Sequence, residues 1–343
     1  MWLPSTNAVL HPCDYCDEPI VLDDYLYAKN KGDEGYYCDH CEWLHYFNSS
    51  RIRPRYTLYL EEKATHNTVL TKQNPVTFKK RLSPLRYPGG KSKLIDFIGE
   101  EINPKQLQTV ISPFTGGGSV EWALLESGMT THLVLNDKDP DVYNFWYMVL
   151  TQPDALITYI QLHPLSESLY QKAHDYMTAP RYTIDDPIEQ AFLFLINNRC
   201  SFSGIYNAGR MGGKNGSLEA LSQRYNPTTI IRQINALTAL NKRSDVTIEL
   251  YNRSYEDIIE AYAWLPNATL FIDPPYITEQ AQSIYRHSFR DDHHHALFGQ
   301  LNSFWHSHPT ADILLFYDNH HRIDEFELPD DVQIINRRYS IHN

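Results

Sequence analysis

Short apolar runs alternate with amphipathic stretches through the chain from about residue 84 onward. Val110-Ile111, closed by Pro113, reads as a buried strand. So do His132 to Leu135, Val246 to Leu250, Thr269 to Ile272, Ile313 to Tyr317 and Val332 to Ile335. Each is short, rich in β-branched or aromatic residues and bounded by turn formers. Ser119 to Ser127, Asp257 to Ala263 and His293 to Phe304 carry helical spacing between them. Ser119 is the candidate N-cap of the first and Gly128 its stop. Such alternation predicts an α/β fold with a doubly wound, mostly parallel sheet. Ligands of such sheets sit at the carboxyl ends of the strands. The third strand follows the second by about 110 residues. The interval holds helical patterns at Pro153 to His163, Asp186 to Asn198 and Pro227 to Lys242, around a glycine-rich loop from Cys200 to Gly216. The α/β unit is therefore read as residues 82–150 and 246–343, interrupted by a helical insert at 151–245. Residues 1–50 form a separate small module, and 51–81 a basic linker with one possible strand at Tyr56 to Leu60.

Apolar residues make up 42% of the 343 and charged residues 21%, enough to bury a sizeable core. No apolar run approaches the roughly 18 residues of a membrane helix, Ala191 to Ile196 being among the longest. The first dozen residues lack the basic and apolar regions of a secretory signal, so an intracellular, cytoplasmic location is expected. The net charge of −12 argues against a nucleic-acid partner until its distribution is considered. Between Arg51 and Lys93, eleven basic residues face only Glu61 and Glu62, a local charge of +9 on an otherwise acidic chain. That zone suits phosphate contacts or, equally, a solvated face.

Four of five cysteines fall as Cys13-x-x-Cys16 and Cys38-x-x-Cys41, with 21 residues between the pairs. This spacing fits a single tetrahedral Zn2+ held by four thiolates in a small ribbon. Two disulfides and a redox pair are the competing readings, weakened by the missing secretion signal and the missing βαβ surroundings. The histidines at 293–295 and 320–321 do not suggest a metal, because adjacent histidines on a helix point in different directions.

Two turns at strand ends carry the chemistry. Pro113-Phe114-Thr115-Gly116-Gly117-Gly118-Ser119 joins the first strand to a helix, where glycines let a ligand approach the main chain. Glu121 breaks a G-x-G-x-x-G pattern, and Gly90-Lys91-Ser92 lacks the strand and first glycine of a P-loop, so nicotinamide and nucleoside triphosphate are disfavoured. Asn136-Asp137 ends the next strand, where a carboxylate can accept hydrogen bonds from ribose hydroxyls. The sharpest signal is Asp273-Pro274-Pro275-Tyr276. Consecutive prolines fix φ and remove N–H groups, so a carboxylate and a rigid carbonyl stand side by side and can grip both hydrogens of one amino group. The aromatic ring that follows offers a surface for a base.

Pro84 to Lys91 with its P-G-G-K, then the F-x-G-x-G loop, Asn136-Asp137 and Asp273-Pro274-Pro275-Tyr276, in that order, resemble the Dam-type (α-group, D12 class) DNA adenine-N6 methyltransferases. The likeness covers about residues 82–343. It is looser at Phe192 to Arg199 with Phe202-Ser203-Gly204, and it extends to Tyr317-Asp318-Asn319 and Arg337 to Ile341. The resemblance implies a Rossmann-like class I methyltransferase fold and S-adenosyl-L-methionine as cofactor. Tyr87, Pro88, Gly89, Gly90 and Lys91 would flank the cofactor's methionine part over Gly116, Gly117 and Gly118. Asp137 would hold the ribose, and Ser254-Tyr255 would border the adenine. It implies double-stranded DNA as partner, with Arg199, Ser203, Arg210 and Lys214 of the insert as candidate contacts to a GATC-like site, and Tyr276 stacking on a flipped adenine. A monomer is the default. Cytosine-N4 or RNA methylation, and a non-catalytic DNA-binding relative, are the alternatives; Asp273 rather than Ser favours adenine.

Overall fold

The computed structural model describes residues 9–12, 19–21, 35–37, 44–46, 55–63, 78, 82–87, 90–101, 108–179, 184–211, 217–262, 265, 268–277, 289–307, 312–318, 323, 325–326 and 333–339. Two small antiparallel hairpins come first, β1 (Val9–Pro12) with β2 (Pro19–Val21) and β3 (Gly35–Tyr37) with β4 (Leu44–Tyr46). The main sheet holds β5 (Arg55–Lys63), β6 (Thr109–Ser112), β7 (His132–Asn136), β8 (Thr247–Tyr251), β9 (Ala268–Ile272), β10 (Asp312–Asp318) and β11 (Gln333–Tyr339). Its order is β11-β5-β10-β9-β6-β7-β8, and every pairing is parallel.

Parallel strands covered on both faces need apolar side chains on both, which is why they read as unbroken apolar runs. The alternation is visible along β9 and β10. Phe271, Leu314 and Phe316 point into one core; Leu270, Ile272, Ile313, Leu315 and Tyr317 point into the other. The second core is closed by α9 (Tyr255–Tyr262) and α10 (Asp291–Ser307) through Ile258, Ile259, Leu297 and Phe298. The first core is larger. It takes Trp122 from α2 (Ser119–Glu126), Phe145 and Trp146 from α3 (Pro140–Thr151), and Phe192 and Phe194 from α6 (Pro187–Cys200). Its other members include α4 (Pro153–Leu162), α5 (Glu167–Thr178) and α8 (Pro227–Asn241). The short helices α1 (Ile95–Glu101) and α7 (Leu218–Arg224) complete the set of described helices named here.

Three findings adjust the sequence reading. The insert shares its core with the sheet: Phe192 and Leu237 belong to the same cluster as Phe271. The strand anticipated at Tyr56 to Leu60 is longer and pairs with β10 over Arg55–Glu61 and with β11 over Thr57–Lys63. A stretch read as linker thus supplies an inner strand of the sheet. Ser119 opens α2 but Gly118, at φ 60°, occupies the cap position. No described helix is long and apolar enough to cross a membrane.

Candidate active site

The carboxyl ends of β6, β7 and β9 open into one cleft, about 1120 Å³ of space continuous with solvent, lined by Tyr87, Gly90, Lys91, residues 113–121, Asp137, Lys138, Asp139, Tyr255, Glu256, Phe271, Asp273, Pro275, Phe289 and His293. That is room for a nucleoside-sized ligand.

The glycine loop is shaped by its neighbours as much as by any ligand. Gly116 (φ 48°) lies against the ring of Tyr87, where a Cβ would come within 2.7 Å of it. Gly118 (φ 60°) would bring a Cβ within 2.7 Å of the Trp122 indole nitrogen. A side chain at either position would meet both a clash and a left-handed backbone. The loop is tied down by polar bonds. Gly116 N–H donates to Asp137 Oδ2 at 2.8 Å, Trp146 Nε1 donates to the Gly116 carbonyl at 2.9 Å, and Thr115 N–H donates to the Asn136 carbonyl at 2.9 Å. Asn136 is a brace: its amide bonds the Pro113 and Arg253 carbonyls and accepts from Arg253 N–H, fully buried and away from the cleft lining.

Asp137 is 9% exposed and reaches the cleft. Burial pushes its carboxyl up to about 7, with Asp139 adding to the rise and the N–H groups of Asp139 and Gly116 opposing it. The same cleft is lined by an aromatic cluster. Phe114 stacks on Tyr255 at 5.2 Å between centroids, and Phe289 meets them edge-on at 5.8 Å and tilted at 5.6 Å. Ser254 stays outside this lining; its hydroxyl accepts from Asp257 N–H at 3.2 Å in the first turn of α9.

The opposite end is charged. Asp273 follows β9 and receives the Lys91 ammonium at 2.8 Å on Oδ1 and 3.0 Å on Oδ2. The Lys91 residue is 3% exposed. Burial raises the Asp273 carboxyl above its ordinary range, while Lys91 pulls it back. Lys91 also lies 4.8 Å over the Tyr276 ring, whose plane runs along that of Tyr317 at 6.1 Å. Tyr276 is therefore buried and faced by an ammonium, not presented openly for a base. Pro274 is buried and Pro275 lines the cleft. One residue that sequence reading passed over stands in this end: Glu121, noted only as an interruption of a glycine pattern, is 2% exposed and lines the cleft. Its signal was an acid in the first turn after the glycine loop, between Val120 and Trp122. Phe289 and His293 carried no local signal.

The insert residues divide. Arg199 is turned inward, donating to the Arg224 carbonyl at 2.9 and 2.6 Å and to the Pro84 carbonyl at 3.4 Å, so its guanidinium serves the packing of the insert instead of facing a ligand. Arg210 pairs with Glu167 at 2.5 and 3.1 Å and lies over the Tyr170 ring. Ser203 is exposed with φ 54°, next to Phe202, which is 60% exposed. Asn198 fastens this turn to the cleft. It accepts from Arg86 N–H at 2.8 Å and donates to the Arg86 carbonyl at 2.6 Å, one residue before Tyr87. Pro88, Gly89, Lys214 and the four cysteines Cys13, Cys16, Cys38 and Cys41 lie outside the described residues. Among the described residues no cluster of three or more potential metal ligands occurs.

Residues 87–337 match the model of the D12 class N6 adenine-specific DNA methyltransferases. The chain is 23% identical over 198 residues to a DNA adenine methylase of Vibrio cholerae, a match covering 58% of this chain and 66% of that protein, just under two thirds of its length. It is 24% identical over 226 residues to the Type II methyltransferase M.MjaIII of Methanocaldococcus jannaschii, covering 61% of this chain and 75% of that protein. With a strand-end cleft, a glycine loop and Asp273-Pro274-Pro275-Tyr276 all inside the matched span, the chain belongs to the D12 class of N6 adenine-specific DNA methyltransferases.

Proposed function

We propose that this protein methylates the exocyclic amine of adenine in double-stranded DNA, using S-adenosyl-L-methionine. The observation that carries the reading is the placement of Asp273, at the end of β9, in the same cleft as the glycine loop and Asp137. The cleft fits the cofactor: the face of an aromatic cluster suits an adenine, Asp137 in the same lining suits ribose hydroxyls, and Lys91, Asp273 and Glu121 supply charge. When bound, the cofactor supplies an electrophilic methyl on a sulfonium. Tyr87, Gly90 and Gly116 to Ser119 would line its path, with Tyr255 against its base.

The chain's own part is to make a poor nucleophile attack. Adenine's amine has its lone pair delocalised into the ring. Hydrogen bonds from it to the Asp273 carboxylate and the Pro274 carbonyl favour a more tetrahedral nitrogen, and the carboxylate stabilises the positive charge that develops there. Lys91 favours the ionised form of Asp273 against the effect of burial, and its ammonium sits where the amine would have to donate. Docking of the base therefore requires Lys91 to yield both Asp273 and the face of Tyr276. The base must leave the duplex to reach this site, at a cost of a few kcal/mol. Phe202, an exposed ring on the turn that Asn198 buttons to Arg86, would contact the opened helix, together with Ser203 and Lys214 of the insert.

The cysteines support a structural Zn2+. In chain order Cys13 and Cys16 fall between β1 and β2, and Cys38 and Cys41 between β3 and β4, and two C-x-x-C pairs at this spacing suit four thiolates on one metal. Zinc content that survives Cys13→Ser/Cys16→Ser overturns this part. The protein acts as a monomer in the cytoplasm of a bacterial or phage-infected cell. Transfer of a labelled methyl group to unmethylated DNA, followed by nucleoside digestion, tests the whole: label in N6-methyladenine is expected. Label in N4-methylcytosine favours the alternative reading, and no label on DNA refutes both.

A further inference from the structure

We infer that Glu121 is the residue that receives the α-ammonium of the cofactor's amino-acid end, which makes this carboxyl a determinant of which adenosyl compounds the cleft accepts. The inference rests on the methyltransferase reading of the cleft and deepens it.

The argument is one of supply and demand for charge. The cofactor has a nucleoside end and a zwitterionic amino-acid end. The nucleoside end has its place: the face of the Phe114–Tyr255–Phe289 cluster, with Asp137 in the same lining. The amino-acid end then falls toward Lys91, Asp273 and Glu121. An ammonium buried there without an anion would be costly. Asp273 is already bridged by Lys91 through both oxygens and is needed for the target amine. Glu121 is the remaining carboxyl at this end.

Its setting suits the role. Glu121 stands in the first turn of α2, directly after the glycine loop, with Val120 and Trp122 buried on either side. Ser112, the last residue of β6, donates its hydroxyl to Glu121 Oε1 at 2.6 Å, so strand end and helix start fix the carboxyl at the cleft wall. Burial pushes the group up to about 7, and the nearby Asp273 charge adds to the rise. A cation brought alongside would draw it into the ionised form. A purely structural carboxyl, serving only Ser112 and the helix start, would be indifferent to the ligand's amino group.

Calorimetric binding of two ligands separates these roles. Sinefungin keeps the amino-acid end; 5′-methylthioadenosine has the nucleoside and lacks that end. A charge-assisted hydrogen bond is worth about 1.5–3 kcal/mol, roughly a 10- to 100-fold change in affinity. In Glu121→Gln, sinefungin affinity should fall by about that factor while methylthioadenosine affinity stays within about twofold, which also reports an intact cleft. Equal loss on both ligands, or sinefungin bound as tightly as by the unaltered protein, overturns the assignment of Glu121 and leaves the methyltransferase reading standing. Failure of the unaltered protein to bind either ligand removes that reading, and this inference with it.

Discussion

The cleft and the insert are held by different physics. In the cleft, the decisive contacts are made by carboxylates at strand ends: Asp273 with the Lys91 ammonium, and Asp137 with the Gly116 N–H. In the insert turn, Asn198 and Arg199 spend their polar groups on main-chain atoms of Arg86, Arg224 and Pro84. The cleft is thus tuned by ionisation, and the insert by backbone complementarity. Substitutions in the first should change rate and pH dependence with the fold intact. Those in the second should change stability and DNA engagement while leaving cofactor binding nearly as it was.

The largest effect belongs to Asp273→Ala. Loss of one electrostatic contact to a developing charge costs on the order of 10²–10³ in rate. Methyl transfer should fall at least that far, with cofactor affinity unchanged within about tenfold; turnover close to that of the unaltered protein removes Asp273 from the chemistry.

Lys91→Met sharpens the same side. Burial raises the Asp273 carboxyl and Lys91 lowers it, so removing the ammonium moves its titration further up. The ionised form is the active one, so activity rises with pH, and the acid limb of the kcat/KM profile, which reports the free enzyme in which Lys91 bridges Asp273, should shift upward in the variant. An unmoved limb would show that Lys91 does not set the ionisation of Asp273.

Asn198→Ala probes the insert. It leaves the Arg86 N–H and carbonyl without their partners, at a cost of about 1–3 kcal/mol in stability by denaturant unfolding. Cofactor affinity should hold while DNA affinity drops. A loss of cofactor binding as large as the loss of DNA binding would erase the distinction between the two regions.

The smallest effect lies outside both, at the sheet edge. Glu249 accepts from Tyr251 and Tyr262 and pairs with His132 at 2.8 Å, and these contacts hold its carboxyl down at about 2 against the opposing effect of burial. A group with a depressed folded pKa stabilises fully above its unfolded value near 4.5 and loses that contribution as pH falls toward 2. Glu249→Gln should therefore cost about 1 kcal/mol at neutral pH and little near pH 2, with methylation unaltered. An equal cost at both pH values would make the contribution packing, not charge.

The cleft was largely legible in the sequence because its parts are short and local. Asp273-Pro274-Pro275-Tyr276, Asn136-Asp137 and the glycine loop each sit at the end of an apolar run, and the fold brings those ends together by rule. What escaped is long-range. Phe289 arrives from just before α10 and His293 from within it, a helix with no motif of its own. The pairing of β5 with β10 joins residues about 257 apart, so a basic, mixed stretch looked like linker. Arg199 looked like a base reader because its destination, a carbonyl in α7, is invisible in the chain order. Glu121 belongs to no motif, and its place at the cleft depends on packing of the start of α2 against Ser112 at the end of β6.

A crystal structure with sinefungin bound addresses the central claim, that Asp273 and the methyl donor share this cleft. The account predicts the analogue's nucleoside against Phe114 and Tyr255 and its amine-bearing carbon beside Asp273. The analogue seated away from the ends of β6, β7 and β9 would contradict it.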